Sequence, residues 1–300
     1  MAWVSPFSLP GSWFKGNLHM HTTQSDGEAT VEQALAYYRQ RGYDFVAVTD
    51  HWVYTPGRDG AAGAGAGLLT ISGAELHGPG YHMLAVGLRG LPSQALESDP
   101  LALAQAVRDL GGLPFFAHPY WVGQTSAEIA ACPAIAGVEV FNSVCDKMDG
   151  LGYSHVQWDE ALKRGQRLLG LAVDDTHWRR IDEEGRGFVM VRAAKLDEAH
   201  LLDALRRGAF YASTGPTFMD LSVIPHKEGR ALMVRCSPCR AITFHASGPR
   251  GHRFEAPAGQ WLDTATWPFK EEGVYLRVEC EDAQGCTAWS NPVFADEVEM

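Results

Sequence analysis

Positive charge is scarce in this chain: 25 lysines and arginines stand against 36 aspartates and glutamates, a formal net charge of −11. That balance argues against a general grip on nucleic acid, which requires a basic face. The expected partner is a small anionic molecule, with no nucleic acid and no membrane; bound metal ions would reverse the sign locally. Nowhere do ~18 apolar residues run uninterrupted, and Met1 to Gly11 has no basic region leading into an apolar stretch. The chain therefore reads as unexported and not membrane-spanning. Six cysteines in 300 residues are too few and too scattered for a disulfide-framed secreted domain, so a reducing compartment, the cytoplasm, is expected. A Gly-x-Ser-x-Gly elbow and a glycine fingerprint after a first strand are both missing, which removes the serine-hydrolase and dinucleotide-binding readings. The glycine-rich stretch from Gly57 to Gly67 lacks a Gly-Lys-Ser/Thr ending and reads as a solvated loop, with a flap beside a site as the alternative. Nothing in the sequence fixes an oligomeric state.

A hydrophobic content of 46% suffices for a large core, with room for one big domain and a smaller one. From Gly16 onward helical and strand-like patterns alternate, which predicts βα units on a mostly parallel sheet. Thr30 to Gln33 has the form of a capping box, apolar Val31, Leu35 and Tyr38 recur on one face, and Gly42 ends the helix. Phe45 to Val48 then reads as a buried strand. Asp99-Pro100 opens another helix, with Leu103, Val107 and Leu110 inward and a Gly111-Gly112 stop, before a strand from Leu113 to Ala117. Further strands are expected over Val138 to Phe141 and Leu168 to Val173, with helices over Trp158 to Lys163 and Leu196 to Arg207. Beyond Thr217 the texture changes to short alternating segments, which suits a small antiparallel sandwich. The expected domains are 1–216 and 217–300.

The strands end on a particular set of side chains. His19-Met20-His21 is followed by Asp26; then come Thr49-Asp50-His51, Glu75 with His82, His118-Pro119 and Asp174-Asp175-Thr176-His177. A barrel gathers such strand ends at one face. On a strand, His19 and His21 point the same way while Met20 faces the core. Imidazole and carboxylate together suit zinc, manganese or iron. Alone, His-x-His reads as two half-buried strand histidines; the whole set, placed in buried segments, reads as a metal centre, because buried charges need partners or ligation. Asp50 is expected to orient a ligand, and of the adjacent aspartates Asp175 rather than Asp174 should face the site.

The run from Lys15 to Gly27, with Val48 to His51, Gly73-Ala74-Glu75, Ala117-His118-Pro119 and Asp175-Thr176-His177, resembles the PHP (polymerase and histidinol phosphatase) family over about Gly16 to Pro216. The resemblance implies a distorted seven-stranded (β/α) barrel and three metal ions. His19, His21, Glu75 and Asp175 would hold one; Glu75 would bridge to a second with His82 and His118; Asp26, His51 and His177 would hold the third. Some relatives carry histidine where Asp26 stands. The stretches Tyr211 to Pro216 and Ala288 to Pro292 further resemble the branch of that family that includes carbaryl hydrolase, with a small β domain after the barrel.

The chemistry expected is hydrolysis of a phosphoester, with Glu75, Asp175 and His177 as catalytic candidates. Arg179 and Arg180 are candidate anion clamps, and Tyr120, Trp121 and Trp178 candidate walls of the substrate pocket. Hydrolysis of an aryl carbamate, ester or amide is the alternative, and a catalytically silent metal-bound docking module the third reading. Cys236-Ser237-Pro238-Cys239 has zinc-knuckle spacing, with Cys280 and Cys286 as possible further ligands. The second pair is too widely spaced for a knuckle, and buried strand cysteines are common, so plain packing is the expectation there.

Overall fold

The computed structural model describes residues 2–58, 67–179, 182–270 and 274–298. The Gly57 to Gly67 stretch and Arg180 lie largely or wholly outside the described residues. The chain opens with β1 (Ser12–Asn17), α1 (Val31–Gln40), β2 (Phe45–Ala47) and β3 (Leu69–Ile71), the three strands running parallel. Thr30 caps α1 through a reciprocal box with Gln33, and Val31, Ala34, Leu35 and Tyr38 are buried along one stripe. Gly42, at φ 72°, supplies the left-handed residue that ends the helix turn.

A second sheet follows: β4 (Gly73–Gly78), β5 (Tyr81–Val86), α2 (Pro100–Asp109), β6 (Leu113–Ala117), α3 (Ser126–Ala130), β7 (Gly137–Asn142), α4 (Ser143–Asp149), α5 (His155–Lys163) and β8 (Leu169–Val173). Its strand order is β4-β5-β6-β7-β8. Here the expectation of a mostly parallel sheet needs correcting, because β5 runs antiparallel to both neighbours. The cause is local: only Pro79 and Gly80 separate β4 from β5, with Gly80 at φ 79°, and a parallel crossover needs a dozen or more residues.

The chain then returns through β9 (Phe188–Ala193), α6 (Glu198–Arg206) and β10 (Phe210–Ser213), with β9 antiparallel to both β1 and β10. The two sheets meet where the strands of each run out. Met20 bridges to Thr176, His51 bridges to Glu75, and the Asp175 amide donates to the His19 carbonyl. Those junctions place the candidate ligands around one mouth.

The remaining strands are β11 (Phe218–His226), β12 (Gly229–Cys239), β13 (Ala241–Ala246), β14 (His252–Glu255), β15 (Leu262–Pro268), β16 (Tyr275–Glu281), β17 (Thr287–Ser290) and β18 (Val293–Phe294). β11, β12 and β15 form one antiparallel sheet; β13, β14, β16, β17 and β18 join the sheet of β1 through a β10–β17 pairing. Leu232 and Val234 from the first face Ile242, Phe244 and Val278 from the second in a common buried core. The antiparallel tail is thus observed, and it continues the sheet of the larger unit rather than standing beside it. The architecture is mixed α/β with an added β region, its described strands in sheets of ten, three and five. Among the described residues, no helix is long and apolar enough to cross a membrane.

Candidate metal centre

The mouth where the sheets meet holds three contiguous donor groups. One is His19, His21, Glu75 and Asp175; the next is Glu75, His82 and His118; the last is His21, Asp26, His51 and His177, and within each group the donor atoms all lie within 4.8 Å of one another. Glu75, almost wholly buried, belongs to two groups, and so does His21. All nine candidate ligands are therefore brought together, with His21 facing both the first and the third group.

In the first group the spacing is tight. Nε2 of His19 and Nε2 of His21 are 3.1 Å apart and lie 3.1 and 3.0 Å from Asp175 Oδ1; they lie 3.4 and 3.3 Å from Glu75 Oε2. Donor atoms bound at about 2.1 Å around a tetrahedral or octahedral ion are separated by about 3.0 to 3.4 Å, so this set fits a divalent cation. In the second group His82 Nδ1 is 2.9 Å and His118 Nε2 3.4 Å from Glu75 Oε1. In the third, Asp26 approaches His177 Nε2 at 3.3 Å, His21 Nδ1 at 3.6 Å and His51 Nε2 at 3.7 Å.

Hydrogen bonding within the chain does not satisfy these atoms. Glu75 Oε2, Asp175 Oδ1, His51 Nδ1 and His118 Nδ1 are buried and make no hydrogen bond, even though His51 Nδ1 stands 2.9 Å from Glu75 Oε2. Buried polar atoms left in this state cost about 1–3 kcal/mol each, which a ligand offsets. The charges point the same way. Burial alone would lower the pKa of His19, but Asp175, Glu139 and Glu75 hold it well above the ordinary range. Burial is likewise outweighed at His21, where the facing Asp175 and Glu75 carboxylates raise the pKa to about 9. Burial would raise Glu75 and Asp175, yet the facing His19 and its neighbours pull both far below the carboxylate range. The hydrogen bond from His177 does the same for the half-exposed Asp26. The carboxylates thus draw protons onto the imidazoles, and divalent cations are the alternative source of positive charge.

Several residues outside the expected set fix this geometry. Glu139, buried in β7, accepts a hydrogen bond from His19 Nδ1 at 2.6 Å and so turns Nε2 toward the donor group; its other oxygen accepts from the His118 amide at 2.8 Å. Asn142 donates to Asp175 Oδ2 at 3.1 Å. These contacts secure His118 at φ 31° and Asp175 at φ 56°, conformations that cost non-glycine residues on the order of 1–3 kcal/mol. Glu183 Oε1 accepts from Thr176 Oγ1, the His177 amide and the Trp178 amide. His177 Nδ1 lies 2.8 Å from the Asp175 carbonyl, which turns Nε2 toward Asp26. Glu139 carries a signal in the sequence, an acid inside Val138-Glu139-Val140-Phe141; Glu183 and Asn142 carry none.

One expectation changes here. Asp50 orients no imidazole: it accepts from the Thr22 amide, the Thr22 hydroxyl and the Ser25 hydroxyl, and so shapes the loop carrying Asp26. Asp174 faces away as expected, accepting from Tyr38 and from the amides of Gly185, Arg186 and Gly187, with burial lifting its pKa to about 6.

The centre opens into a cleft of about 170 Å³ whose lining includes Arg179, Trp121, Val144, Cys145 and Met148 alongside the ligands. Arg179 donates to Asp26 at 3.1 Å and stays 40% exposed, enough to meet a second anion. Of the expected walls, Trp121 lines the cleft and Tyr120 does not. The Trp121 amide donates back to the His118 carbonyl in a tight turn, which leaves the Tyr120 side chain exposed. Trp178 packs on Tyr37 and Tyr38 and donates to the His21 carbonyl, so it supports the site from behind.

No protein-family model and no curated protein matches the chain. Solved structures do. A two-domain protein from Bacteroides vulgatus, described as containing a predicted PHP-like metal-dependent phosphoesterase, matches 95% of this chain and 98% of its own with TM-score 0.53 at 15% identity. A lesion-specific endonuclease Q from Pyrococcus furiosus matches 65% of this chain and 56% of its own with TM-score 0.42 at 13% identity. Endonuclease Q in complex with a 27-mer duplex containing an abasic lesion matches 65% and 57%, with TM-score 0.43 at 15% identity. The expectation that nucleic acid is excluded therefore falls, since a protein bound to duplex DNA is among the similar structures. Net charge sums the whole surface, whereas binding answers to local charge, including that of bound cations. In fold, this chain is similar to that PHP-like two-domain protein.

Proposed function

We propose that this chain is a metal-dependent phosphoesterase acting on a small phosphoester at a centre of three divalent cations, one per donor group. Zinc, manganese or iron suits the mixture of imidazole and carboxylate. The observation that carries the proposal is the convergence of three donor groups through Glu75 at the floor of a cleft with an arginine on its rim. The PHP-like phosphoesterase description of the Bacteroides vulgatus protein supports phosphoesters as the substrate class. We read seven of the ten strands β1 to β10 as the wall of one distorted barrel over 1–216, followed by a β domain over 217–300.

Divalent cations bound there would supply an activated water at neutral pH and neutralise negative charge on the substrate. The residues of the chain then do the positioning. Glu75 and Asp175 carry negative charge into the buried floor, and their depressed pKa values keep them ionised at neutral pH. His177, its Nδ1 side held by the Asp175 carbonyl, presents Nε2 beside Asp26 at the mouth. Arg179 offers a planar pair of donors to a phosphoryl oxygen, while Trp121, Val144 and Met148 bound the leaving-group side and limit water. That apolar wall also favours a second reading, hydrolysis of an aryl carbamate or ester at the same floor.

The test is hydrolysis of a phosphomonoester, a phosphodiester and a naphthyl carbamate by protein reconstituted with manganese or zinc, beside an Asp175→Asn control. Cleavage of phosphoesters that the control loses supports the proposal. Carbamate cleavage alone would transfer the chain to the second reading, and turnover surviving intact in the control would remove the centre from the mechanism.

A further inference from the structure

In the core of the β region, outside the lining of the cleft, three thiols converge. Cys236 and Cys239 lie on β12 and Cys280 on β16, so they come from the two opposed sheets of the β region. All three are buried free thiols. The Sγ atoms of Cys236 and Cys239 are 3.9 Å apart, and the three sulfurs all lie within 4.8 Å of one another. Around an ion with metal–sulfur bonds of about 2.3 Å, tetrahedral sulfurs stand about 3.8 Å apart.

The backbone departs from a regular ladder to make this arrangement. Residues three apart on a strand point to opposite faces. Between Arg235 and Cys239 the β12–β15 register shifts, and both Cys236 and Cys239 reach the interior. Thr217 pins the turn by exchanging hydrogen bonds with Ser237, donating its amide to Ser237 Oγ and accepting the Ser237 amide. The Ser237 carbonyl oxygen, 3.1 Å from Cys239 Sγ, adds an oxygen donor beside the sulfurs. Cys286, the fourth cysteine of the spacing pattern, is not in the cluster; it lies against Gly215 and is partly exposed.

We propose that Cys236, Cys239 and Cys280 bind a thiophilic divalent cation, zinc above all, as a structural clamp between the two sheets of the β region. Soft thiolates select zinc over magnesium or calcium, and binding releases thiol protons, so the ion contributes its affinity to folding. The site is separate from the cleft, and its existence does not depend on the hydrolase reading.

Cobalt, as a spectroscopic stand-in for zinc, separates the two sites, because only thiolate ligands give sulfur-to-cobalt charge-transfer absorption. The full-length wild type loaded with Co²⁺ should show that absorption and lose it when Zn²⁺ is added. Cys280→Ser should abolish it, whereas Cys145→Ser, which removes the thiol lining the cleft, should leave it intact. Should Cys280→Ser fail to fold, the wild-type spectrum and the Cys145→Ser control still decide. A folded, cobalt-loaded wild type without the absorption, its loss in Cys145→Ser, or a Cys236–Cys239 disulfide found by mass spectrometry in the native protein would overturn the proposal.

Discussion

Around Arg277 a buried guanidinium is ringed by carboxylates from the chain itself, whereas around Glu75 no lysine or arginine among the described residues reaches the buried carboxylates. The Arg277 guanidinium, fully buried on β16, donates to both Asp159 oxygens at 2.7 and 2.6 Å and to Glu279 at 2.6 Å, and it stacks over Trp158. Tyr275 adds a hydrogen bond to Asp159. At Glu75 and Asp175 the facing groups are imidazoles alone, and Glu75 Oε2 and Asp175 Oδ1 accept nothing. Both clusters bear the desolvation cost of buried charge. The first recovers it through the chain alone and ties β16 to α5; the second is left to an exogenous cation. A buried polar cluster that closes on itself is read as structure, and one that leaves convergent acceptors open is read as a binding site.

That contrast can be broken in graded ways. Glu75→Gln should have the largest effect, lowering turnover by about 10³-fold or more, because two donor groups lose their common ligand and cation stabilisation is worth several kcal/mol; initial rates with a phosphoester substrate measure it. Arg277→Ala should cost on the order of 3 kcal/mol of stability, since the partly buried Asp159 and Glu279 lose their shared cation and Trp158 loses the guanidinium stacked on it. Urea unfolding reads that loss, and metal content per folded chain should not change. Glu139→Gln should weaken metal affinity or activity by about 10–100-fold while the fold persists, as equilibrium dialysis against a chelator would report. Arg179→Ala should raise KM roughly tenfold with a smaller change in kcat, because the side chain is part-exposed at the rim and its one side-chain partner within the chain is the half-exposed Asp26.

The acid–base behaviour sharpens the contrast further. His21 is raised from 6.5 to about 9 in the metal-free protein. Its contribution to stability is therefore fully present below pH 6.5 and lost as the pH rises through about 9. Metal-free protein should lose thermal stability over that window, and metal-loaded protein should not, because the cation replaces the proton. Thermal melts with and without chelator at pH 6, 7.5 and 9 give the comparison; equal slopes for both forms would count against cation binding at His21.

Most of the ligands are readable in sequence because they stand at or just past the end of an apolar run, where a buried charge has few explanations; Glu75 lies inside β4, His82 near the start of β5 and Asp26 in the loop after His21. Glu139 offered the same kind of signal but stands in mid-strand, where no ligand motif marks it. Glu183 acts through a loop closure that local sequence does not encode, and the inward turn of Cys236 and Cys239 depends on a register shift that spacing alone does not show. The β10–β17 pairing joins Tyr211 to Ser290, a contact between segments far apart in the chain and set by tertiary packing. The β5 reversal was available in the two-residue link at Pro79-Gly80, a turn signal overshadowed by the βα rhythm on either side. Net charge does not suffice to exclude nucleic acid, because it averages over a surface whose local sign the site determines.

The central claim is that the floor around Glu75 is a metal centre of three donor groups. Anomalous scattering from crystals of the full-length protein grown with manganese or zinc, recorded at the absorption edge of that metal, addresses it most directly. The account predicts one peak within each group, the first two flanking Glu75. A well-ordered, metal-soaked crystal with no anomalous peak in the cleft would contradict it.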